Sequence, residues 1–343
     1  MSYNTSEKLY KMAANAFETK NAYSFMNSAT EPPIVLMPKK PLTTYCSDGI
    51  LALVAPVVAY WSMSLLFHTI DTLRLAEKYR IHPSEEVASK NKASRTEVLK
   101  EVLFQHLIQS VTGLTMLYFD PEPTTGFEMN EMWHWRRSVP LWIPNEAIYF
   151  AYSYGFSFAK IFFGFFLVDT WQYWLHRLMH TNKTLYKHFH SRHHRLYVPY
   201  AYGALYNSPT EGFLLDTCGT GLAAILMHLT HTEQVFLYTF ATMKTVDDHC
   251  GYALPWDPFQ WLFPNNAVYH DIHHQQFGIK TNFAQPFFTI WDTVFCTKYD
   301  GFKEYERQQR RVTIDRYKEF LAKREQEKLA KMKDLGIGNK KQN

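Results

Sequence analysis

The chain has 343 residues, of which 46% are hydrophobic and 17% aromatic, with a formal net charge of +4 and a mean hydropathy of −0.30. A mean hydropathy this low excludes a chain that is mostly buried in lipid, and it indicates a few membrane spans joined to a substantial polar body. The mild charge, with no basic stripe, gives no reason to expect a nucleic-acid partner. The four cysteines are scattered, so we expect reduced thiols and no disulfide framework.

Four segments are predicted to enter a membrane. Residues 1–44 are polar and carry no signal peptide, and the first long apolar run follows at Gly49–Phe67. As a helix this run would be roughly 28 Å long, which matches the hydrocarbon core of a bilayer. Val102–Phe119 is a second, more polar candidate, and Ile148–Val168 is a third. Residues 212–243 contain two apolar limbs, which fit a membrane-inserted hairpin, a re-entrant pair or one long tilted helix.

We therefore predict an all-α, polytopic membrane protein with about four membrane-inserted helical segments and a cytosolic, histidine-rich helical cap. The chain divides into a lumenal polar segment (1–44), a first transmembrane pair with a cytosolic loop (45–145), a catalytic domain (146–300) and a charged cytosolic tail (301–343).

The orientation follows from the basic residues. Seven Lys and Arg residues lie in the loop 69–101, so the positive-inside rule places this loop in the cytosol and the N-terminus in the lumen. The third span then emerges in the cytosol near residue 170. At the other end of the chain, Lys340 and Lys341 form a dilysine pattern of the kind that returns membrane proteins to the endoplasmic reticulum. We expect a multi-pass endoplasmic-reticulum protein with its active site and C-terminus in the cytosol.

Histidine is the unusual residue of the second half of the chain. One motif reads H-x-x-x-H, two read H-x-x-H-H, and one histidine stands alone before Cys-Gly-Tyr. Pattern counting gives roughly 0.04 chance occurrences of H-x-x-H-H in such a chain, yet it occurs twice. The candidate metal ligands are His176, His180, His190, His193, His194, His249, His270, His273 and His274.

Helix geometry explains why this spacing predicts a metal site. Residues at i, i+3 and i+4 share one helix face, so their imidazoles can converge on one ion. Nine imidazoles exceed the four ligands of a tetrahedral zinc and suit two ions with four or five nitrogens each. Imidazole suits Zn, Cu, Fe and Ni alike, so ligand type leaves the metal open. Asp169 and Tyr173 share the helix face of His176 and His180, which predicts that they orient a ligand ring by hydrogen bonding.

The other histidines are predicted to lie away from metal. His188 is beside the second motif but off the ligand face. The rest lack partners at useful spacing and are His68, His82, His106, His134, His228 and His231.

The motifs and the residues around them resemble the fatty acid hydroxylase and sterol desaturase superfamily of membrane non-haem di-iron enzymes. The similarity extends to the fungal sphinganine C4-hydroxylases over nearly the whole chain, including DTWQYWLHRLMH at 169–180, HFHSRHHRLYVPYAYGALYNSPTEGFLLDT at 188–217 and VYHDIHHQQFGIKTNFAQPFFTIWD at 268–292. His249 occupies the position of the superfamily's single extra histidine, and no ligand position departs from the pattern.

The resemblance implies two iron ions held by the nine histidines, with O2 and NAD(P)H-derived electrons as co-substrates. Cytochrome b5 and its reductase would deliver the electrons. The implied substrate is the long-chain base of sphingolipids, sphinganine or dihydroceramide, which is hydroxylated at carbon 4 to phytosphingosine or phytoceramide.

Two other classes of function remain open at this stage. The ligand set does not separate this reaction from a sterol desaturase, a C4-methyl oxidase or a fatty acyl 2-hydroxylase, because substrate depth and shape decide which hydrogen is removed. A membrane metal-binding protein without turnover is the second class, and it would expose its histidines in loops. The oligomeric state and the division of the nine histidines between two ions are also open.

Overall fold

A computed structural model describes residues 23–334, so the predicted dilysine signal at Lys340 and Lys341 and the first half of the polar segment 1–44 lie outside the described residues. The helices are α1 Asp48–Thr72, α2 Ser84–Lys90, α3 Arg95–Phe119, α4 Glu128–Ser138, α5 Asn145–Thr181, α6 Lys183–Leu185, α7 Pro209–Gly212, α8 Cys218–Leu226, α9 His231–Asp248, α10 Pro258–Leu262, α11 Ala267–His274, α12 Ile290–Val294 and α13 Phe302–Asp334.

Shorter elements connect these helices. Two strands, β1 Met37–Pro38 and β2 Thr124–Thr125, pair antiparallel with Met37 opposite Thr125. The π-helical turns are Ala151–Gly155 inside α5, Tyr186–His190 and Phe213–Thr217, and the 3-10 turns are Ser24–Asn27, Glu77–Tyr79, His193–Arg195 and Ala201–Gly203. The predicted all-α class is confirmed, since the two short strands are the only sheet among the described residues.

Two helices, α1 and α5, are long and apolar enough to cross a membrane. The Ser47 side chain caps α1 by accepting a hydrogen bond from the Ile50 amide, and Pro56 lies within the helix. α3 is a helix at the predicted place, but it falls short of the same test of length and apolarity. The structure therefore supports two spans of the four predicted.

Residues 212–243 form two helices, which excludes one long helix. α8 ends at Leu226, and α9 begins at His231 after His228 adopts a left-handed conformation with φ of 48°. Thr230 caps α9 and forms a capping box with Glu233, so the sequence itself specifies a new helix start here. Lys160 of α5 also bonds to Glu233 at 2.6 Å, which fixes the turn against α5.

The fold carries the histidine motifs on converging segments. α9 packs along α1, and both α8 and α9 pack on α5. A buried core joins α1 and α3 to the loop that follows the second motif and to α11, through residues such as Tyr60, Val102, Tyr206 and Ile272. α5 and α9 each end at a motif, so their packing brings His180 and His249 to the same end of the molecule.

A buried ion pair stabilises the end of α9. Lys244 is fully buried and bonds to Asp248 one turn later, while the other Asp248 oxygen accepts from Asn265 at 3.1 Å. Burying two charges is costly, and removing one partner leaves the other charge without compensation.

Replacing Lys244 with Met should therefore destabilise the protein by about 3–5 kcal/mol, because the Asp248 carboxylate would stay buried and unpaired. The exposed pair Arg316–Glu319 offers a matched control, since Arg316→Met should change stability by less than about 1 kcal/mol. Thermal unfolding of the detergent-solubilised protein measures both variants. Equal midpoints for the two variants would contradict the assigned role of Lys244.

Candidate metal centre

The nine predicted histidines form two adjacent clusters. His176, His180, His190, His194 and His273 make up the first, and His193, His249, His270 and His274 make up the second. Within each cluster the potential ligand nitrogens lie within 4.8 Å of one another. The clusters adjoin, since the ring centres of His194 and His274 are 5.0 Å apart. The motif spacing predicted that all nine rings come together, and in the structure five of them form one cluster and four form the other.

Each H-x-x-H-H motif contributes to both clusters. In the second motif His190 and His194 enter the first cluster, while His193 enters the second. In the third motif His270 and His274 enter the second cluster, while His273 enters the first. The expectation that three rings of one motif converge on one point is therefore wrong, because the i and i+4 rings pair and the i+3 ring diverges. The second motif also departs from α-helix, since a π-turn and a 3-10 turn carry it.

The distances between ring nitrogens are those of ligands around one ion. In the first cluster, His194 Nε2 lies 3.0 Å from His190 Nε2 and 3.2 Å from His180 Nε2. In the second cluster, His270 Nε2 lies 3.0 Å from His249 Nε2 and 3.1 Å from His274 Nε2. With a metal–nitrogen bond of about 2.1 Å, ligands at right angles are about 3.0 Å apart and tetrahedral ligands about 3.4 Å. The spacing fits an ion with more than four ligands.

Hydrogen bonds at the back of the rings set which nitrogen faces the cluster. Six of the nine Nδ1 atoms contact an oxygen, and all but one of these oxygens is a backbone carbonyl. The pairs are His176 with Phe283 O, His190 with Glu211 Oε1, His193 with Tyr206 O, His249 with Thr245 O, His273 with Thr281 O and His274 with Leu196 O. A ring that donates from Nδ1 keeps a bare Nε2 lone pair, which is the form that binds metal.

His273 shows most directly that the clusters fit a metal ion. Its Nδ1 donates to the Thr281 carbonyl at 2.7 Å, and its Nε2 is buried with no hydrogen-bond partner among the described residues. A buried acceptor without a partner is unfavourable, and an ion bound in the first cluster would satisfy it. The chain turns back between His273 and Thr281, and this turn requires glycine at position 278, because a Cβ there would lie 1.9 Å from the Ile272 carbonyl oxygen.

Burial keeps the imidazoles neutral. It lowers the pKa of His193 to about 4, and burial together with the nearby His193 lowers the pKa of His249 to about 3. The pKa values of His270 and His274 are also well below the ordinary value, because burial disfavours charge and neighbouring imidazoles add to the effect. Near neutral pH these side chains therefore present lone pairs, as metal ligands must.

Glu211 is a buried acid that holds one of the clustered rings, and no sequence motif identified it as a partner of a histidine. It is 1% exposed and contacts His190 Nδ1 at 2.5 Å. Its sequence signal, S-x-x-E at Ser208–Glu211, indicates a capping box, which the structure also contains. That signal gives no hint of a histidine partner, because His190 lies on a separate turn.

Asp169 and Tyr173 have partners other than the ligand rings to which they were assigned. The Asp169 carboxylate accepts hydrogen bonds from the backbone amides of Phe287 and Phe288. The Tyr173 hydroxyl contacts Thr297 Oγ1 at 3.1 Å. The predicted ring-orienting bonds are thus replaced by bonds that hold the segment after the third motif against α5. Helix spacing identified the correct face but not the loop that packs on it.

The remaining histidines lie outside both clusters, but His82 is more than a surface residue. It is 5% exposed, and its ring contacts the Asp271 carboxylate and Glu86, each at 3.0 Å. Tyr305 of α13 donates to the same Asp271 at 2.6 Å. Asp271 lies between two ligands of the third motif, so His82 and α13 together support α11 from behind. His188 is exposed and belongs to neither cluster, in agreement with its predicted position off the ligand face.

A large cavity shares four lining residues with a small cavity that contacts the clusters. Its volume is about 2150 Å³, which exceeds the roughly 300–1,000 Å³ of ordinary small-molecule pockets, and apolar side chains such as Leu53, Val57, Ile161 and Phe236 contribute to its wall. A second cavity of about 20 Å³, large enough for one water-sized molecule, lies against His190, His193, His249 and His270.

The pH dependence of stability tests the His82 network. Burial disfavours a charged His82, but the Asp271 and Glu86 carboxylates outweigh burial and raise its pKa to about 9. A raised pKa stabilises the fold fully below the unfolded value of about 6.5, and this contribution is lost as pH rises through about 9. The unfolding midpoint should therefore fall more steeply with pH in the wild type than in His82→Gln. Identical pH profiles would contradict the network.

Comparisons with known proteins agree with this geometry. The family model described as Fatty acid hydroxylase matches residues 161–297, which contain all nine clustered histidines. The chain is 66% identical to Sphingolipid C4-hydroxylase SUR2 of Saccharomyces cerevisiae over 96% of this chain and 94% of the relative. It is 44% identical to Sphingolipid C4-hydroxylase sur2 of Schizosaccharomyces pombe over 78% of this chain and 95% of that relative.

A plant relative extends the similarity. Identity to Sphinganine C4-monooxygenase 1 of Arabidopsis thaliana is 43% over 73% of this chain and 88% of the relative. No solved structure matches the chain. On the strength of the family model and of these near full-length identities, the chain belongs to the fatty acid hydroxylase family of iron-dependent membrane enzymes.

Proposed function

We propose that this chain is a di-iron monooxygenase that hydroxylates carbon 4 of the sphingoid long-chain base, as sphinganine or as dihydroceramide. The observation that carries the proposal is the pair of buried histidine clusters, five rings and four, in a chain 66% identical to a Sphingolipid C4-hydroxylase. The products would be phytosphingosine and phytoceramide. O2 and NAD(P)H-derived electrons are the co-substrates, and cytochrome b5 with its reductase is the proposed electron donor.

Each cluster would hold one iron ion through its histidine Nε2 atoms. Nitrogen spacings near 3.0 Å and the unpartnered His273 Nε2 support a metal in the first cluster, and the same spacings support one in the second. When bound, the iron ions supply the activation of O2 and the oxidation of the carbon–hydrogen bond. Iron is proposed over zinc because the family is iron-dependent and because imidazole alone does not discriminate.

The protein's own residues position the ligands and the lipid. Carbonyl groups and Glu211 hold the rings by their Nδ1 atoms, so the nitrogen geometry is set before an ion binds. The ligand rings are mostly buried, which limits access of bulk water to the reacting carbon. The large cavity has the volume and the apolar walls to receive an alkyl chain beside the clusters. Holding that chain in one register is what selects carbon 4.

We also propose that α3 and the hairpin of α8 and α9 enter the membrane with α1 and α5. On α3 the polar side chains Gln105 and His106 are buried, whereas Leu103, Leu107 and Val111 are about half exposed. Apolar groups outside and polar groups inside are typical of a helix that faces lipid. The proposed location is the endoplasmic-reticulum membrane, with the clusters on the cytosolic side.

Another oxidation within the same family is the second candidate, namely sterol desaturation, C4-methyl oxidation or 2-hydroxylation of an acyl chain. The clusters are common to all of these, so the product decides between them. We favour the long-chain base because two fungal relatives and one plant relative named for this reaction align with 73–96% of the chain.

Expression in S. cerevisiae cells lacking their own Sphingolipid C4-hydroxylase SUR2 tests the function. Cells fed sphinganine should accumulate the trihydroxy base, measured by mass spectrometry. Substituting His193 or His273 with Ala should reduce this product at least about 100-fold, because each removes a ligand from one cluster. His134→Ala and His188→Ala are the controls and should retain activity, since both side chains are exposed. His82, which the sequence also places away from metal, is unsuitable as a control because it is buried.

Three outcomes would contradict the proposal. One is a sterol or acyl product in place of the trihydroxy base, and another is full activity in the His193 and His273 variants at unchanged protein level. The third is loss of product in the two exposed-histidine controls to the same degree.

Glu211 gives an independent test of the metal assignment. Glu211→Gln removes the charge that polarises His190 while preserving the size of the side chain, so metal affinity should fall about 10- to 100-fold. Competition with a chelator measures this on the purified protein without any assay of turnover. Glu304→Gln, which changes an exposed glutamate of α13, is the matched control. Retention of metal equal to the wild type would contradict the role of Glu211.

A further inference from the structure

The two cavities beside the clusters share four lining residues, and one of them is acidic. These residues are Gln172, Asp216, Thr245 and Pro286. Asp216 therefore faces both the large apolar cavity and the small cavity that touches the ligand rings. A carboxylate at this junction lies between the space proposed for an alkyl chain and the clusters that would oxidise it.

Asp216 has acceptor capacity that its neighbours do not use. Its carboxylate accepts from Gln172 Nε2 at 3.3 Å and from Asn207 Nδ2 at 3.5 Å, both long contacts from neutral amides. The other two acids of the small cavity have strong partners, since Glu211 contacts His190 and Asp248 contacts Lys244. A carboxylate can accept about four hydrogen bonds, so Asp216 is free to bind a further donor.

A second polar group lines the cavity on the neighbouring helix. α3 contacts the turn Phe213–Thr217, and its His106 is 7% exposed and forms part of the cavity wall. Gln109, one turn along α3, is the one side chain that interacts with a His106 nitrogen, and neither ring nitrogen forms a hydrogen bond of good geometry among residues 23–334. A buried imidazole whose hydrogen bonds are unmade or poor is unfavourable unless a bound ligand forms hydrogen bonds to its ring nitrogens. The part of the cavity wall that contains His106 and Asp216 therefore suits the polar groups of a ligand, whereas the part that contains Leu53 and Val57 suits a hydrocarbon chain.

The chemistry of the long-chain base matches this arrangement, an argument that rests on the proposed function. The base carries a hydroxyl on carbon 3, one bond from the carbon to be oxidised, and both the free base and the ceramide retain it. Burial raises the pKa of Asp216 to about 7, and a hydroxyl that donates to the carboxylate forms a strong, charge-assisted hydrogen bond that favours the charged form. A group that binds the 3-hydroxyl must lie next to the oxidising centre, and of the three acids at the small cavity only Asp216 also lines the large one and has no charged partner.

We propose that Asp216 binds the 3-hydroxyl of the long-chain base and thereby sets carbon 4 against the histidine clusters. The alkyl chain extends along the large cavity. Without this anchor the chain slides, because apolar walls resist displacement by one methylene only weakly. Asp216 is thus a substrate-binding residue that determines both affinity for the head and the carbon that is oxidised.

The test compares two lipids, sphinganine and its 3-deoxy analogue, in microsomes of cells that express either the wild type or Asp216→Asn. In the wild type, kcat/KM for carbon-4 hydroxylation should be about 10- to 100-fold higher for sphinganine than for the analogue. In Asp216→Asn, kcat/KM should fall for sphinganine but stay unchanged for the analogue, so most of the preference should disappear. Its products should also include bases hydroxylated at carbons beyond carbon 4. Asp300→Asn, the same change at an exposed site, is the control.

The outcomes separate the inference from the proposed function. Equal efficiency of the wild type on both lipids overturns the inference, as does an unchanged preference and product pattern in Asp216→Asn. Even if the variant does not fold, the comparison in the wild type can still overturn the inference, because binding at Asp216 requires that the 3-hydroxyl be recognised. If the wild type hydroxylates neither lipid at carbon 4, the proposed function fails instead.

Discussion

The structure depends on bringing nine neutral imidazole rings, lone pairs inward, into one buried region. Nitrogen atoms about 3 Å apart that both lack a proton repel each other, so the clusters are unfavourable by themselves. Two features of the chain offset this cost. Hydrogen bonds from the Nδ1 atoms to fixed carbonyls hold the rings in place, and the core that joins α1, α3 and α11 holds the segments that carry them. A bound cation converts the repulsion into coordination.

Because each H-x-x-H-H motif contributes histidines to both clusters, the positions of the two clusters are coupled through the backbone. His193 belongs to a different cluster from His190 and His194 of its own motif. In the same way, His273 belongs to a different cluster from His270 and His274. A shift of either segment therefore changes the ligands of both centres together. Such coupling suits a reaction in which two ions act on one oxygen molecule, because their relative position is fixed by the same short stretches of backbone.

The sequence predicted which nine histidines come together, because the spacing of histidines along a chain is a local property. It also predicted the all-α class and placed helices near 49–67, 102–119 and 148–180. It did not predict the split of the motifs, because helix spacing shows which side chains share a face but not which ring of another segment each one meets; the third motif splits on the regular helix α11, and the second splits on a π-turn and a 3-10 turn. Helix spacing directed Asp169 toward a ligand ring, but its partners are amides of a loop more than a hundred residues later.

Contacts between distant segments account for the other omissions. Glu211 and His190 meet through a turn that no local pattern specifies, and His82 meets Asp271 across 189 positions. Asp216 stands in a stretch that reads as part of an apolar hairpin, where one acid carries no visible motif. Its role follows only from seeing which cavities it lines. Sequence patterns thus identified the clustered histidines, whereas the residues that support their rings and that line the cavities became apparent only from the fold.

The metal content of protein purified from its native membrane tests the central claim most directly. Elemental analysis should find about two iron ions per chain in the wild type. Because His249 belongs only to the four-ring cluster, His249→Ala should retain about one. A single ion, two zinc ions in place of iron, or unchanged iron in His249→Ala would contradict the account.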